Sequence, residues 1–366
     1  MKGKRPVLHM VRRAQISFGK IVLIHFVALL IALAVCAVVI TVVTHVNPIG
    51  VYGALASGAV GNSRRFWVTI RETVTLLLIA VGLTPAFRMR FWNIGAEGQI
   101  LMGGMLSAAL MIYCGGKLPG LLLVAAMLLV SMLAGMIWGL IPAYFKAKYN
   151  TNETLFTLML NYVAMQFVTF AICFWENPKG SNTVGTINPK THYGWFPEIG
   201  GKSFSGRQFL FSCIIVLLVT LLMSFYLRRT KQGFEIAVVG SSANTARYAG
   251  IDVKRVILRT MALSGAVCGL AGAVLVGGST HTLSTATANG RGFTAIIVAW
   301  MANFNPLFMV LISGLLMFMQ QGAIQIASQY KLNQEFSDII TGIILFFLIG
   351  CEFFVRYKLE YRKEEA

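Results

Sequence analysis

Long apolar runs separated by short polar breaks dominate this chain. Ile21 to Val43 is such a run, free of charge apart from neutral His25. A bilayer core requires about 20 apolar residues at roughly 1.5 Å rise each, so this stretch is long enough to cross one. The same pattern recurs and predicts ten spans, near 21–43, 73–87, 93–114, 119–144, 153–175, 208–227, 256–279, 292–304, 306–327 and 336–355. The second and eighth are short for a bilayer. They read as broken or re-entrant pieces, which are tolerated only where protein buries them or they line a cavity. The predicted fold class is all-α, a polytopic helical membrane protein.

Composition strengthens this picture. Hydrophobic residues make up 57% of 366 positions, charged residues 12%, and mean hydropathy is +0.72. A soluble domain carries about 25% charged residues, so a water-facing globule of this size could not be coated. The net charge of +18 and pI near 9.9 raise nucleic-acid binding as an alternative. The basic residues form no stripe; they sit at the ends of apolar runs, as the retention of Lys and Arg on the cytoplasmic side predicts. With ten spans and a cytoplasmic N-terminus, 21 of the 31 Lys and Arg fall on the cytoplasmic side, and the C-terminus returns there. Arg64, Arg65 and Arg71 fall on the wrong side, so 44–72 is the segment that fits this topology worst.

The resulting division is a basic cytoplasmic N-terminus (1–20), a transmembrane domain (21–355) and a cytoplasmic tail (356–366). Within the domain lie an external loop (176–207), rich in Gly, Pro, Asn and Ser, and a cytoplasmic loop (228–255). The basic N-terminus resembles a signal-peptide n-region, but the run after it is too long and no cleavage site follows, so a retained first helix is expected. Six scattered cysteines form no CxxC pair, and no HxxxH or HExxH spacing occurs; neither a disulfide framework nor a metal site is indicated. No GxxxxGK[ST] loop is present, so ATP binding by this chain is not expected.

Candidate chemistry concentrates in two polar interruptions. Asn93, Glu97 and Gln99 lie within seven residues, between apolar segments, with glycines at 95, 98, 103 and 104. Polar groups at membrane depth are costly and face a cavity or one another; a loop at the membrane surface is the equally weighted reading. Asn161 sits mid-span and needs partners, as an interhelical clasp or as a substrate contact. The second interruption, Thr280 to Gly292, ends in Asn289-Gly290-Arg291-Gly292-Phe293 and precedes a short apolar piece. Paired interruptions in the two halves of a transporter point to a binding site at their interface. The small residues Ser264, Gly265, Ala266, Gly269 and Gly272 read as a packing face. Residues 241–250 read as a short helix with a Ser cap and a terminal Gly.

The residues that carry a family likeness are Asn93-Ile94-Gly95-Ala96-Glu97-Gly98-Gln99, Asn152-Glu153 with Met159-Leu160-Asn161-Tyr162, and Gly233-Phe234-Glu235-Ile236. Ala246-Arg247-Tyr248-Ala249-Gly250-Ile251, Leu263-Ser264-Gly265-Ala266, Gly292-Phe293-Thr294-Ala295-Ile296 and Asn305-Pro306 complete the set. Over about 73–350 the chain resembles the membrane permeases of ABC importers for ribose-type sugars. It resembles more closely the nucleoside-type branch served by basic-membrane-protein lipoproteins. One departure is Val239-Gly240 followed by Ser241-Ser242-Ala243, where family members often carry Asn-Pro, which bears on the choice of ATPase.

The resemblance implies a multi-pass permease of the bacterial inner membrane, which is not itself an enzyme. Its implied partners are a second permease subunit, a double-cassette ATPase that holds ATP and Mg, and an extracytoplasmic substrate-binding lipoprotein; this chain would hold no cofactor. It further implies that Gly233, Gly240, Ala246, Arg247, Tyr248, Ala249 and Gly250 form the element that couples to the ATPase. The expected function is a pathway for a nucleoside or simple sugar, lined near Asn93, Glu97, Gln99, Asn161, Asn289 and Phe293. Amides that donate and accept, with one carboxylate acceptor, suit neutral hydroxyl-rich solutes. An ion-coupled secondary transporter, with Glu97 as the coupling carboxylate, is the alternative. A membrane enzyme would need a paired acid, nucleophile or metal constellation, and none is found.

Overall fold

The computed structural model describes residues 7–12, 17–44, 48–200, 206–331 and 333–362. Parts of the basic N-terminus and of the tail, and residues 201–205 of the predicted external loop, lie outside them. Strand β1 (Val7–Arg12) leads into α1 (Phe18–Thr44), α2 (Pro48–Val60), α3 (Ser63–Arg88), α4 (Ala96–Cys114), α5 (Gly120–Tyr149), α6 (Glu153–Trp175) and α7 (Leu210–Arg229). Two short helices follow, α8 (Lys231–Ser241) and α9 (Ala243–Tyr248), then α10 (Val253–Leu275), which ends in a π-helical turn (Val276–Thr280). The chain closes with α11 (Arg291–Met301), α12 (Pro306–Gln329), α13 (Gln334–Arg356) and strand β2 (Tyr357–Arg362). It divides into two units, one of residues 1–65 and 316–366, the other of residues 66–315.

Among the described residues nine helices are long and apolar enough to cross a membrane. The 292–304 segment is short, as expected: α11 has 11 residues, about 16 Å of helix against a core of about 30 Å. The expectation for 73–87 was wrong. That segment belongs to α3, a full 26-residue helix whose first turns, with α2, occupy much of the 44–72 region. Charge at Arg71 and Glu72 ended the apolar run in the sequence, but a helix absorbs such charges where they pair internally. Arg71 Nη2 lies 2.5 Å from Glu72 Oε1 and Arg291 Nη2 2.6 Å from Glu72 Oε2. The hydroxyls of Thr73, Thr75 and Thr84 donate to carbonyls one turn back, at 2.7–2.9 Å, so α3 leaves few polar groups unsatisfied.

In the first unit α1 packs along α13, with Cys36 Sγ 3.9 Å from the Ile340 carbonyl. β1 and β2 pair antiparallel, with Val7 opposite Arg362 and Arg12 opposite Tyr357. The start of α1 and the end of α13 therefore lie side by side. α2 sits close against the end of α12: a Cβ on Gly58 would strike Gln321, Gly322 and Gln325, and one on Gly322 would strike Leu55.

The second unit is built around α10, whose apolar window is 89% buried. It packs on α4 and α5 through glycine. A Cβ on Gly265 or Gly269 would overlap the α5 backbone at Gly135 and Ser131, and one on Gly272 would overlap α4 at Ile100 and Gly104. Small residues let helices in lipid approach to backbone contact, where dispersion and packing replace the missing hydrophobic drive. The packing face expected from Ser264, Gly265, Gly269 and Gly272 is this seam.

Candidate functional site

Both polar interruptions are breaks in helical structure, and they meet. After Arg88 the backbone turns at Arg90 (φ 60°) and runs non-helical to Gly95, so α4 begins at Ala96 rather than at 93. Helical bonds cannot satisfy this backbone, and in lipid each orphan group would cost several kcal/mol. Side chains take their place. Asn93 Oδ1 accepts from Gly95 N at 3.1 Å, Thr157 Oγ1 from Ile94 N at 3.2 Å, and Asn161 Oδ1 from Gly98 N at 2.9 Å. Asn161 Nδ2 donates to the Ile94 carbonyl at 2.9 Å. Asn93 and Gln99 exchange amide hydrogen bonds at 3.3 Å, and Asn93 also donates to Ser264 Oγ at 3.3 Å.

Asn93, Gln99 and Asn161 are buried, and their amides hold the break closed across α4, α6 and α10. Asn161 lies eight residues into α6 from Glu153, about 12 Å along the helix.

Glu97 is the second residue of α4, and its Oε1 accepts from Gly292 N at 2.8 Å in the first turn of α11. One carboxylate thus serves two helix N-termini, each of which favours negative charge through its free N–H groups and dipole. The approach requires glycine: a Cβ on Gly292 would press on Glu97 N and Cγ and on Ala96 Cβ. Asn289 and Gly290 are left-handed (φ 48° and 71°) and start α11 at Arg291. Arg291 reaches Glu72 of α3, so three helices converge on the two breaks.

Asn289 and Phe293 flank this junction and are exposed. Aromatic rings also gather where α3, the break and the end of α11 meet. Trp92 and Trp300 are exposed with ring centroids 5.2 Å apart, and Phe87 stacks on Phe304 at 6.4 Å.

The chain from His281 to Asn305 runs the length of this unit. His281 O accepts from Ile187 N of the 176–200 loop at 2.8 Å, whereas Asn305 Oδ1 accepts from Arg228 Nη2 at the end of α7 at 2.6 Å. The first part of this path is loop and the second is α11, which at 11 residues is shorter than the nine helices long enough to cross a membrane.

At the α7 end of the unit lie α8 and α9. Thr230 caps α8, accepting from Gly233 N at 3.1 Å, and Ser242 caps α9, accepting from Thr245 N at 3.2 Å; Gly250 closes the pair at φ 75°. The residues expected to couple fall into two groups. Gly233, Gly240 and Ala246 are buried; a Cβ on Gly240 would overlap the Arg88 carbonyl. Arg247, Tyr248, Ala249 and Gly250 are exposed, Tyr248 at 94%. Glu235 Oε2 pairs with Arg259 Nη2 at 2.9 Å and ties α8 to α10. A cavity of about 290 Å³ opens beside them, lined by Arg90, Lys146, Glu153, Gly240 and Ser242 among others.

Sequence reasoning missed Glu72, Arg71, Arg291 and the Trp92–Trp300 pair. An Arg-Glu dipeptide between Ile70 and the apolar run that opens at Leu76 was the available signal for the first two.

Residues 68–349 match the family described as branched-chain amino acid transport system, permease component. The guanosine ABC transporter permease protein NupP of Bacillus subtilis is 28% identical over 345 residues, covering 94% of this chain and 97% of its own. The glucose ABC transporter permease protein TsgB13 of Haloferax volcanii is 29% identical over 358 residues, covering 94% and 90%. NupQ, a second guanosine ABC transporter permease protein of Bacillus subtilis, is 24% identical over 247 residues, covering 65% and 75%.

Proposed function

Because the chain belongs to the branched-chain amino acid transport system permease component family, we propose that it forms the translocation pathway for a nucleoside or simple sugar in an ATP-driven importer. A permease of this family is a multi-pass membrane subunit and not an enzyme; its ATPase is a separate subunit, and it works with a substrate-binding protein. The substrate class follows from the relatives, which carry guanosine and glucose by name. NupP and NupQ are two guanosine permeases of one organism, which favours a second, non-identical permease as partner here. A double-cassette ATPase and an extracytoplasmic lipoprotein complete the proposed assembly.

The observation that carries the pathway is the Glu97–Gly292 hydrogen bond, which joins the start of α4 to the start of the short α11. Breaks of this kind recur where transporters bind their cargo. The amides of Asn93, Gln99 and Asn161 keep the break intact, while Glu97, Asn289 and Phe293 border the route that opens when the starts of α4 and α11 part. Movement is driven from α8 and α9, where Arg247, Tyr248, Ala249 and Gly250 dock on the ATPase. The proposed orientation puts both termini, α8 and α9 in the cytoplasm and the 176–207 loop outside. Nine long crossings and one interrupted one bring the chain back to the side on which it starts.

The test is uptake by proteoliposomes holding the complete complex, offered guanosine, other nucleosides, ribose and glucose with and without ATP. ATP-dependent uptake of one class is expected. Glu97→Gln keeps an acceptor for Gly292 N and should retain more uptake per inserted complex than Glu97→Leu, which leaves buried donors unpaired at a cost of about 1–3 kcal/mol each. Ion-driven uptake by this chain alone would overturn the assignment, and equal, wild-type rates in both variants would remove Glu97 from the pathway.

A further inference from the structure

A buried ion cluster joins α3 to the start of α11, next to the proposed pathway but apart from the groups that border it. Glu72 is 7% exposed and both its carboxylate oxygens are engaged. Oε1 accepts from Arg71 Nη2 at 2.5 Å and Nε at 3.0 Å, and Oε2 from Arg291 Nη2 at 2.6 Å. Arg71 also lies over the Phe209 ring at 5.4 Å. Arg291 is the first residue of α11, and Gly292, directly after it, gives its N–H to Glu97. Two cations and two carboxylates thus lie in series: Arg71, Glu72, Arg291, then Glu97 across one backbone N–H.

Charges at this depth are expensive, and their partners tell what they do. Arg71 alone would balance Glu72. The second cation comes from 219 residues further along the chain, at the one helix start that must rest on Glu97. A buried carboxylate that chelates Arg291 fixes where α11 begins, and with it whether Gly292 N reaches Glu97. Gly292 itself packs on Ala96 and Glu97, but the turn that leads into it is loosely held: Asn289 and Gly290 are exposed, and nothing stands within 4 Å of where a Gly290 Cβ would be.

We propose that Glu72 is a positioning residue for transport: through its ion pair with Arg291 it seats the N-terminus of α11 on Glu97, and the pathway opens and closes through making and breaking that seat. Glu72 touches no cargo. Arg71 offsets the charge of Glu72 when Arg291 withdraws, so the carboxylate is never left alone in the membrane. This rests on the proposed pathway at Glu97, but seating is a structural claim with its own readout.

Seating is read by placing the reactive thiol of Ala295→Cys on α11, on a background with the six native cysteines replaced; Ala295 is fully buried and the change is small. Thiol labelling of the detergent-solubilised complex reports release of α11, and uptake per inserted complex with ATP hydrolysed per substrate is measured in parallel. Removing Glu72 takes away the seat and leaves Arg71 and Arg291 without a carboxylate, and removing Arg291 takes away the seat while Arg71 still balances Glu72. Glu72→Gln and Arg291→Gln should each speed labelling about five-fold or more, and cut uptake about ten-fold while hydrolysis continues. The double variant, which has no seat left, should label fast and transport poorly like the single ones, whereas Glu72→Asp should keep most of the uptake. Parental labelling rates in both single variants would overturn the seat, as would faster labelling with uptake and ATP per substrate unchanged. A parent complex without ATP-driven uptake would sink the transport reading instead, since labelling still reports on the seat.

Discussion

Single residues decide which backbone groups in this protein are satisfied. The polar side chains that stand out in the sequence, Asn93, Glu97, Gln99 and Asn161, converge around one break. They were legible because each interrupts an apolar run. That the amides bond to the break itself was not legible, since it depends on Thr157, Ser264 and Asn161 arriving from other helices. His281 shows the same dependence. It stacks on Trp195 at 3.8 Å, and Trp195 stacks in turn on His192 at 4.2 Å. Burial, and then the neighbouring His192, push His281 down to about 4 from a usual value of 6.5. The unfolded chain takes up this proton below pH 6.5 and the folded protein does so only near pH 4. Stability from this group is therefore full above 6.5 and is lost as pH falls from 6.5 towards 4. Melting temperature should fall on acidification from about pH 7 to about 4.5, and fall less in His281→Gln. Equal falls in the two proteins would show that other groups carry the acid sensitivity.

Among the elements, α8 and α9 show what the sequence could and could not tell. The Ser cap and terminal Gly were readable from local chemistry, and they are Ser242 and Gly250. The division between residues that hold these helices and residues they present was not readable, because it rests on contacts with the end of α3. The division has a consequence for mutants. Gly240→Leu must displace the Arg88 carbonyl, at a cost of about 1–3 kcal/mol for an overpacked site, and should lower the yield of inserted protein. Ala249→Trp faces outward and should leave yield unchanged while uptake falls and ATP hydrolysis runs uncoupled. Yield is read by quantifying protein in membranes, and coupling by ATP consumed per substrate moved. Normal uptake by Ala249→Trp would exclude docking at that surface. The α4–α5–α10 seam was more legible, because small residues spaced by four are a pattern within one helix.

For the whole molecule, nine of the ten predicted spans fall on helices long and apolar enough to cross a membrane and 292–304 falls on the shorter α11, while at 73–87 two charges hid most of a long helix. Those charges belong to an ion pair with a residue 219 positions away, and no window along the chain can see that. The pairing of β1 with β2 brings residues 7–12 and 357–362 together, which no local window could show. With single cysteines in intact cells, an impermeant thiol reagent should label position 190 and not position 241. The reverse pattern would invert the orientation.

The packing of α1 on α13 also sets a condition on biosynthesis. Cys36 and Ile340 are separated by 304 residues, and a ribosome adding about 5–20 residues per second takes roughly 15–60 s to make that stretch. During that interval α1 has left the translocon and waits in lipid without its mate. It must therefore be content there alone, and it is equipped to be: its span has the highest mean hydropathy of the nine, 3.2, with only 22% of that window buried by protein. α3 and α10, with windows 67% and 89% buried and hydropathies of 1.7 and 1.8, are helices that lipid alone would hold poorly. They are made after α1, and α10 emerges once α4 and α5, the helices it packs on, are already in the membrane. The helix that must wait for a partner from the far end of the chain is thus the most apolar of the nine.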